Sequence, residues 1–353
     1  MDATIANPNR LAGGMFGLEL GYLELPNRET PVFLKESALL TCMARSALVL
    51  LQRKLAPVRV WLPSYLCEVM LLAFPRELTE TCFYPVDEQL NISEEGWMDE
   101  VQKGDVVVFI DYFGFNRWDG FADKLRSKGA WIVEDACQAL LSKFSPNAHY
   151  VICSPRKFVG VPDGGILIAQ EGAAMPDMEL PPPPAEWWVD ALNASVRRRE
   201  FDLATDSKDK SWFALYQKVE STAPLESGRM SELSDLILHT GVDWLSVATR
   251  RRENYSWLLE RFAEIAIYSE LPENVVPLGF PIRVANRDEV RQRLFDVSIF
   301  PAIHWPVSDQ IPAEFEATRR LAGEILTIPC DQRMDDAQLE RMAKIMKSYI
   351  RPL

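Results

Sequence analysis

Histidine is scarce in this 353-residue chain: there are three, His149, His239 and His304, and no H-E-x-x-H pair. A zinc site, and with it any metal requirement, is therefore not expected. Six cysteines (Cys42, Cys67, Cys82, Cys137, Cys153, Cys330) are scattered through mostly apolar stretches without a C-x-x-C spacing. That pattern fits neither a thiolate metal centre nor a disulfide framework, and buried reduced thiols are expected. A Walker A loop and a G-x-G-x-x-G turn are missing, which removes the usual signatures of nucleotide cofactors. No uninterrupted apolar run approaches the roughly 20 residues that cross a bilayer, and the opening MDATIANPNRLAGG lacks a basic segment followed by an apolar one. No membrane association is expected, and the chain reads as cytoplasmic. Basic residues are also outnumbered, 38 Lys+Arg against 51 Asp+Glu for a formal charge of −13. Such a chain is poorly suited to neutralise the phosphates of DNA or RNA, so no nucleic-acid partner is expected.

What is present is an ordinary globular mixture, 48% apolar and 25% charged, and its length suggests about two domains. LLTCMARSALVLLQRKL carries good helix formers. VRVWLPSY, TCFYPV, DVVVFIDYF, WIVEDA and HYVICS follow as strand-like runs rich in β-branched and aromatic residues. WDGFADKLRSKGA, leaving at Gly129, is a helix between two of them. Strand–helix alternation of this kind predicts an α/β fold with a mostly parallel central sheet flanked by helices. Tyr65, Asp111, Asp135 and Ser154 stand at predicted strand ends, where active groups gather in such sheets. After GGILIAQ the alternation stops, and AMPDMELPPPPAEWW reads as a stiff surface loop or a linker. Residues 231–265 read as one long helical stretch capped by Ser231, with Arg250, Arg251 and Arg252 on a solvated face. Asp335 and Gln338 announce a capping box, and Leu339, Met342, Met346 and Tyr349 recur along one face of the final helix. The C-terminal third therefore reads as a smaller α+β domain.

Three segments can carry chemistry. In HYVICSPRKFVGVPDGG a strand ends at Ser154 and Lys157 follows three residues later, where an apolar crevice would favour the neutral amine that a nucleophile or a Schiff-base former needs. A loop lysine in water is the equal alternative. S-x-x-K also opens an acyl-serine signature, but the S-D-N and K-T-G that complete it are missing. In WIVEDACQAL, Glu134 and Asp135 point to opposite faces of a strand. A carboxylate facing the crevice could keep a pyridinium nitrogen protonated, with Gln138 bonding a ring oxygen. Read alone, Asp135 is a cap for the segment that follows. In MARSALVLL, the first N–H groups of a helix with Arg45 and Ser46 make an anion site or the start of an ordinary amphipathic helix.

The joint order of these segments resembles the DegT/DnrJ/EryC1/StrS family, the pyridoxal-phosphate (PLP) sugar aminotransferases of aspartate aminotransferase fold type I. The resemblance runs from ARSAL through LPSYLC, DYFGF, VEDACQAL and SPRKFVGVPDGG to SGRMSEL, IHWP and LTIPCDQRMDDAQLERM. It implies a large PLP-binding domain over 1–235 and a smaller α+β domain over 236–353. It implies that Lys157 forms the Schiff base and moves the proton, that Asp135 holds the pyridinium nitrogen and that Gln138 contacts the phenolic oxygen. Arg45, Ser46 and Ser154 would bind the phosphate, and His304 and Arg229 are candidates for substrate contact. Tyr65 or Cys67 would stand where the family stacks an aromatic residue on the ring. Three departures accompany the resemblance: Ser154 and Lys157 are three apart rather than five, Cys67 occupies the stacking position, and Ser227 replaces an asparagine that reaches into the partner subunit. The implied activity is transfer of an amino group from an amino acid, with glutamate the expected donor, to a nucleotide-linked keto-sugar in a homodimer with a shared active site. The alternatives are a catalytically silent binding or regulatory protein of this fold and a sugar dehydratase, which in this family carries histidine in place of the lysine.

Overall fold

The computed structural model describes residues 11–20, 31–35, 37–204, 209–226 and 228–353. Residues 1–10, which the expectation about a leader segment concerns, and Ser227 lie outside them. Seven strands form the central sheet: β1 (Leu39–Thr41), β2 (Arg59–Pro63), β3 (Glu80–Tyr84), β4 (Val106–Ile110), β5 (Trp131–Asp135), β6 (Tyr150–Cys153) and β7 (Gly165–Ala169), in the order β1-β7-β6-β5-β4-β2-β3. The five from β3 to β6 run parallel, whereas β7 is antiparallel to both β6 and β1. Every residue of β4 is buried, as expected for a parallel strand covered on both faces. The parallel register places Ile110 opposite Asp135 and Asp135 opposite Ile152, so β4, β5 and β6 end along one edge.

Helix α1 (Ala44–Leu55) starts against that edge, and α2 (Asp119–Ser127) joins β4 to β5. The close approach of α1 requires glycine at 165, because a Cβ there would lie 2.3 Å from the backbone nitrogen of Ala44. The neighbouring Gly164 N–H donates to Cys42 O at 2.7 Å and ties the entry of β7 to the entry of α1.

The proline-rich stretch, expected as a loop or linker, is irregular only as far as Pro184. It delivers a helical hairpin, α3 (Ala185–Leu203) and α4 (Ser211–Ser221), with Trp187, Ala191 and Val219 packed inward. The expected single helix over 231–265 divides. A short helix, Glu232–Leu236, capped by Ser231, widens at Ile237–Gly241, and Asp243 caps a new helix, α5 (Trp244–Phe262). The solvated arginine face is also corrected. Arg251 is wholly buried, with Nη1 donating to the carbonyls of Pro277 and Leu278 and Nε donating to Gln332 Oε1, because three loop acceptors converge on it.

In the C-terminal third, β8 (Phe280–Arg283) and β9 (Ile325–Ile328) pair antiparallel beside α6 (Arg287–Phe295) and α7 (Asp336–Tyr349). The capping box forms: Gln338 N–H donates to Asp335 Oδ1 at 2.8 Å and Asp335 N–H to Gln338 Oε1 at 3.1 Å. Leu339, Met342 and Met346 are buried and Tyr349 is partly so. One contiguous apolar core joins this part to the large sheet. No described helix is long and apolar enough to cross a membrane.

Candidate active site

A cavity of about 800 Å³ opens at the carboxyl ends of the parallel strands, and Lys157, Asp135, Gln138, Ser154, Arg45 and Cys67 all line it. The chain reaches it in simple ways. β6 ends, Ser154 precedes the single turn Pro155–Lys157 without a side-chain cap, and the Lys157 N–H donates back to the Ser154 carbonyl at 3.2 Å. β5 ends one strand over at Asp135, whose Oδ1 accepts the Cys137 N–H at 2.9 Å. The capping role read from the sequence and the cavity-lining role therefore coexist in one carboxylate. Cys137 lines the same cavity. Burial raises its thiol well above its ordinary value, Asp135 adds to that, and the Lys157 charge opposes it.

Period-two geometry sends Glu134 the other way. It is fully buried and accepts the Ser145 N–H with both oxygens, at 3.2 and 3.0 Å. Burial raises it well above the carboxylate range, and the neighbouring Asp111 raises it further.

Gln138 points its Oε1 at the Phe113 N–H, 2.8 Å away, which leaves a buried Nε2 without a partner among the described residues. Gln138 lines the cavity, and a buried donor without a partner in such a residue calls for an acceptor. At the start of α1, Met43 offers no side-chain cap, and Met43, Ala44 and Arg45 face the cavity. First-turn N–H groups beside a guanidinium suit an anion. Burial lowers the Arg45 pKa, partly offset by the Glu220 charge.

His304 lines the same cavity, with Nδ1 2.9 Å from Thr327 Oγ1. Burial and then the Lys157 charge push its pKa down to about 3, so its ring is neutral at physiological pH. Asp163 of the D-G-G is not a cavity group. It is fully buried and accepts from Ser231 N–H (2.7 Å), Ser231 Oγ (2.5 Å) and Ser234 Oγ (2.6 Å), fastening the Lys157 loop to residues 231–234.

Three expected site residues stand apart from the wall. Tyr65 lies behind it, its ring 5.7 Å from that of Trp305 and 6.0 Å from that of Tyr112, while Cys67 takes the cavity position. Ser46 is fully buried and its hydroxyl donates to Glu226 O at 3.3 Å. Arg229 is exposed on the outer surface, 3.6 Å from Glu232.

The sequence reading missed the α4 contribution. Glu220 pairs with Arg156 at 2.6 Å, and Trp212, Phe213 and Tyr216 line the cavity with it. Burial pushes the Glu220 carboxyl up, but Arg156 outweighs it and holds the pKa below the ordinary value, with Arg45 and Lys157 adding to the effect. Arg156 was available as the neighbour of Lys157, whereas nothing in the segment 176–226 marks Glu220.

No protein-family model and no curated protein matches the chain. Solved structures do. A DegT DnrJ EryC1 StrS aminotransferase from Brucella abortus is 15% identical, with a TM-score of 0.60 over 88% of this chain and 85% of its own. The sugar aminotransferase CalS13 from Micromonospora echinospora is 15% identical, with a TM-score of 0.62 over 95% and 99%. Spr1654 from Streptococcus pneumoniae in its PLP form is 14% identical, with a TM-score of 0.64 over 88% and 86%. At these identities the likeness is one of architecture, and by it this chain has the fold of the DegT/DnrJ/EryC1/StrS aminotransferases.

Proposed function

We propose that the chain is a PLP-dependent aminotransferase that moves an amino group from an amino acid, glutamate being the expected donor, to a keto-sugar carried on a nucleotide. The carrying observation is that an amine, Lys157, and a carboxylate, Asp135, from two adjacent strand ends share one cavity with an uncapped helix start. The donor set fits the cofactor on the structure's own terms. Gln138 Nε2 is a buried donor in need of an acceptor, and the α1 start with Arg45 and Ser154 suits a phosphate.

Pyridoxal phosphate bound there supplies an electron sink for charge developing at the substrate carbon. The protein's part is positional and acid–base. Asp135 would keep a ring nitrogen protonated, Gln138 would donate to a ring oxygen, and the first turn of α1 with Arg45 and Ser154 would hold the phosphate. Lys157 Nζ takes the proton from the substrate carbon and returns it, a transfer typically worth about 10²–10⁴ in rate. His304, being neutral, can accept or donate a hydrogen bond to substrate without adding charge, and α4 excludes water.

In this reading residues 1–235 form the cofactor-binding domain and 236–353 the smaller one. The exposed Arg229 faces a second copy in a cytoplasmic homodimer. Adding PLP to the full chain should produce a visible band that borohydride bleaches, with the pyridoxyl label on the peptide containing Lys157 and no label in Lys157→Ala. A label on another lysine, or no band, rejects the proposal. Cofactor uptake without amino transfer from any amino acid favours the binding-protein reading instead.

A further inference from the structure

On the face of β5 away from Asp135, two fully buried carboxyl groups meet. Asp111 directly follows β4, Glu134 is the penultimate residue of β5, and the two side chains lie within hydrogen-bonding reach of each other. Their donors are few. Trp118 Nε1 donates to Asp111 Oδ1 at 2.6 Å, and the two oxygens of Glu134 share the single Ser145 N–H. Asp111 Oδ2 is buried and has no donor among the described residues.

Neither carboxyl has a Lys, Arg or His partner among the described residues. The further charges acting on the pair are negative, those of Asp135 and of Asp119 at the start of α2. Asp119 is itself engaged, accepting from Ser145 Oγ and from Asn147 Nδ2. The other titratable groups facing the pair, the Cys153 thiol of β6 and the Tyr268 hydroxyl, bring no positive charge. Two ionised carboxylates in this place would repel each other out of water and would have no hydrogen to put between them. One proton removes a charge and supplies that hydrogen.

We propose that Asp111 and Glu134 share one proton at neutral pH, and that this bond makes them a positioning pair for Asp135. Glu134 is the donor and Asp111 Oδ2 the acceptor. Burial raises Asp111 only to about 6, because its bonds to Glu134 and Trp118 oppose the rise, whereas burial and then Asp111 raise Glu134 well above its ordinary value. The pair therefore loses its protons in two separate steps and holds one between them. Asp135 is the next residue after Glu134, and its carbonyl accepts the Asp111 N–H at 3.1 Å. Asp111 thus grips both residues at the end of β5, and a side chain anchored behind a strand steers the neighbour that points forward. That Asp135 then serves a ring nitrogen rests on the proposed function; the shared proton does not.

The test is infrared spectroscopy of the full chain in heavy water without cofactor, where a protonated carboxyl group has a carbonyl stretch apart from those of carboxylates and amides. At neutral pH exposed carboxyl groups are ionised, their ordinary values being about 4, so the parent should keep one such band. Glu134→Gln should lose it, and Asp111→Asn, which removes the neighbouring charge, should move its disappearance to lower pH. No band in the parent, a band that survives in Glu134→Gln, or a titration unmoved by Asp111→Asn refutes the shared proton. The positioning role is read from PLP uptake by visible absorbance. Glu134→Leu, which offers Asp111 no hydrogen, should weaken uptake about tenfold or more, and Glu134→Gln, whose amide offers one, should recover most of that loss. A second measurement needs no destabilised variant: the ratio of parent to Glu134→Gln affinity should fall about tenfold as the pH rises through the loss of the band. A Glu134→Leu chain that takes up PLP like the parent, a glutamine no better than leucine, or a constant ratio refutes the role. A parent that shows the band but takes up no PLP sinks the proposed function and leaves the shared proton standing.

Discussion

Replacing Asp163 by alanine removes the acceptor for three buried donors at once. The Ser231 N–H, 2.7 Å from Oδ2, belongs to the backbone and cannot turn elsewhere, so it costs about 1–3 kcal/mol as an unsatisfied buried group. The hydroxyls of Ser231 and Ser234 lose a charged acceptor but lie 3.2 Å apart and can bond each other, which limits their joint loss to about 2 kcal/mol. The sum, about 3–5 kcal/mol, is a large part of the 5–15 kcal/mol that a folded protein commands. Asp163→Asn keeps an oxygen for the Ser231 N–H and presents an amide to hydroxyls that can rotate to accept, so it should cost only about 1–2 kcal/mol. Urea unfolding of the two variants and the parent measures the difference. Asp163 fastens the Lys157 loop, and Gly164 next to it fastens α1, so the alanine variant should also bind PLP more weakly. The reasoning fails if alanine costs less than 1 kcal/mol, or if asparagine costs as much as alanine.

Gly165→Ala should destabilise by about 1–3 kcal/mol or more, because its methyl would meet the backbone of Met43 and Ala44 rather than a movable side chain. Gly120→Ala in α2, where a Cβ meets nothing within 4 Å, should be neutral or stabilising by up to about 1 kcal/mol, and thermal melts of the pair check the contrast. Acid stability should depend on His149, whose Nδ1 accepts the Ile132 N–H at 2.9 Å and whose pKa is pushed down to about 4 by burial and then by Arg126. Between pH 4 and about 6.5 the unfolded chain holds the extra proton, so stability rises with pH across that window and is lost as pH falls through it. Discounted for partial solvent access, the loss is about 1–2 kcal/mol. His149→Asn, which keeps an acceptor, should flatten the pH dependence of urea midpoints, and an unchanged slope would count against this account.

Legibility in the sequence followed the strength of local signals. β4 and β5 were readable because buried parallel strands need unbroken β-branched runs, and Asp135 and Glu134 separated correctly because a strand has a period of two. The α7 capping box was readable because all its partners lie within four residues. The hairpin of α3 and α4 was not, since four prolines mask its start and its apolar residues face a cavity instead of one continuous core stripe. Arg251 was misplaced for a related reason. The carbonyls that make its burial tolerable come from residues 277 and 278, which no inspection of a three-arginine run reveals. Tyr65 and Cys67 show the limit for side-chain direction: one residue beyond a strand end, the chain turns, and which side chain meets the cavity depends on how Tyr112 and Trp305 pack.

Arg333 donates to the carbonyl of Met15 across 318 residues of chain. One wall of the cavity is therefore finished by segments made far apart in synthesis. Until Arg333 has emerged from the ribosome this contact cannot form, so the wall is completed only after the large sheet has been made. Contacts of such span are slow to form, so the interval between emergence of the sheet and closure of the wall is when this protein most needs shielding from aggregation.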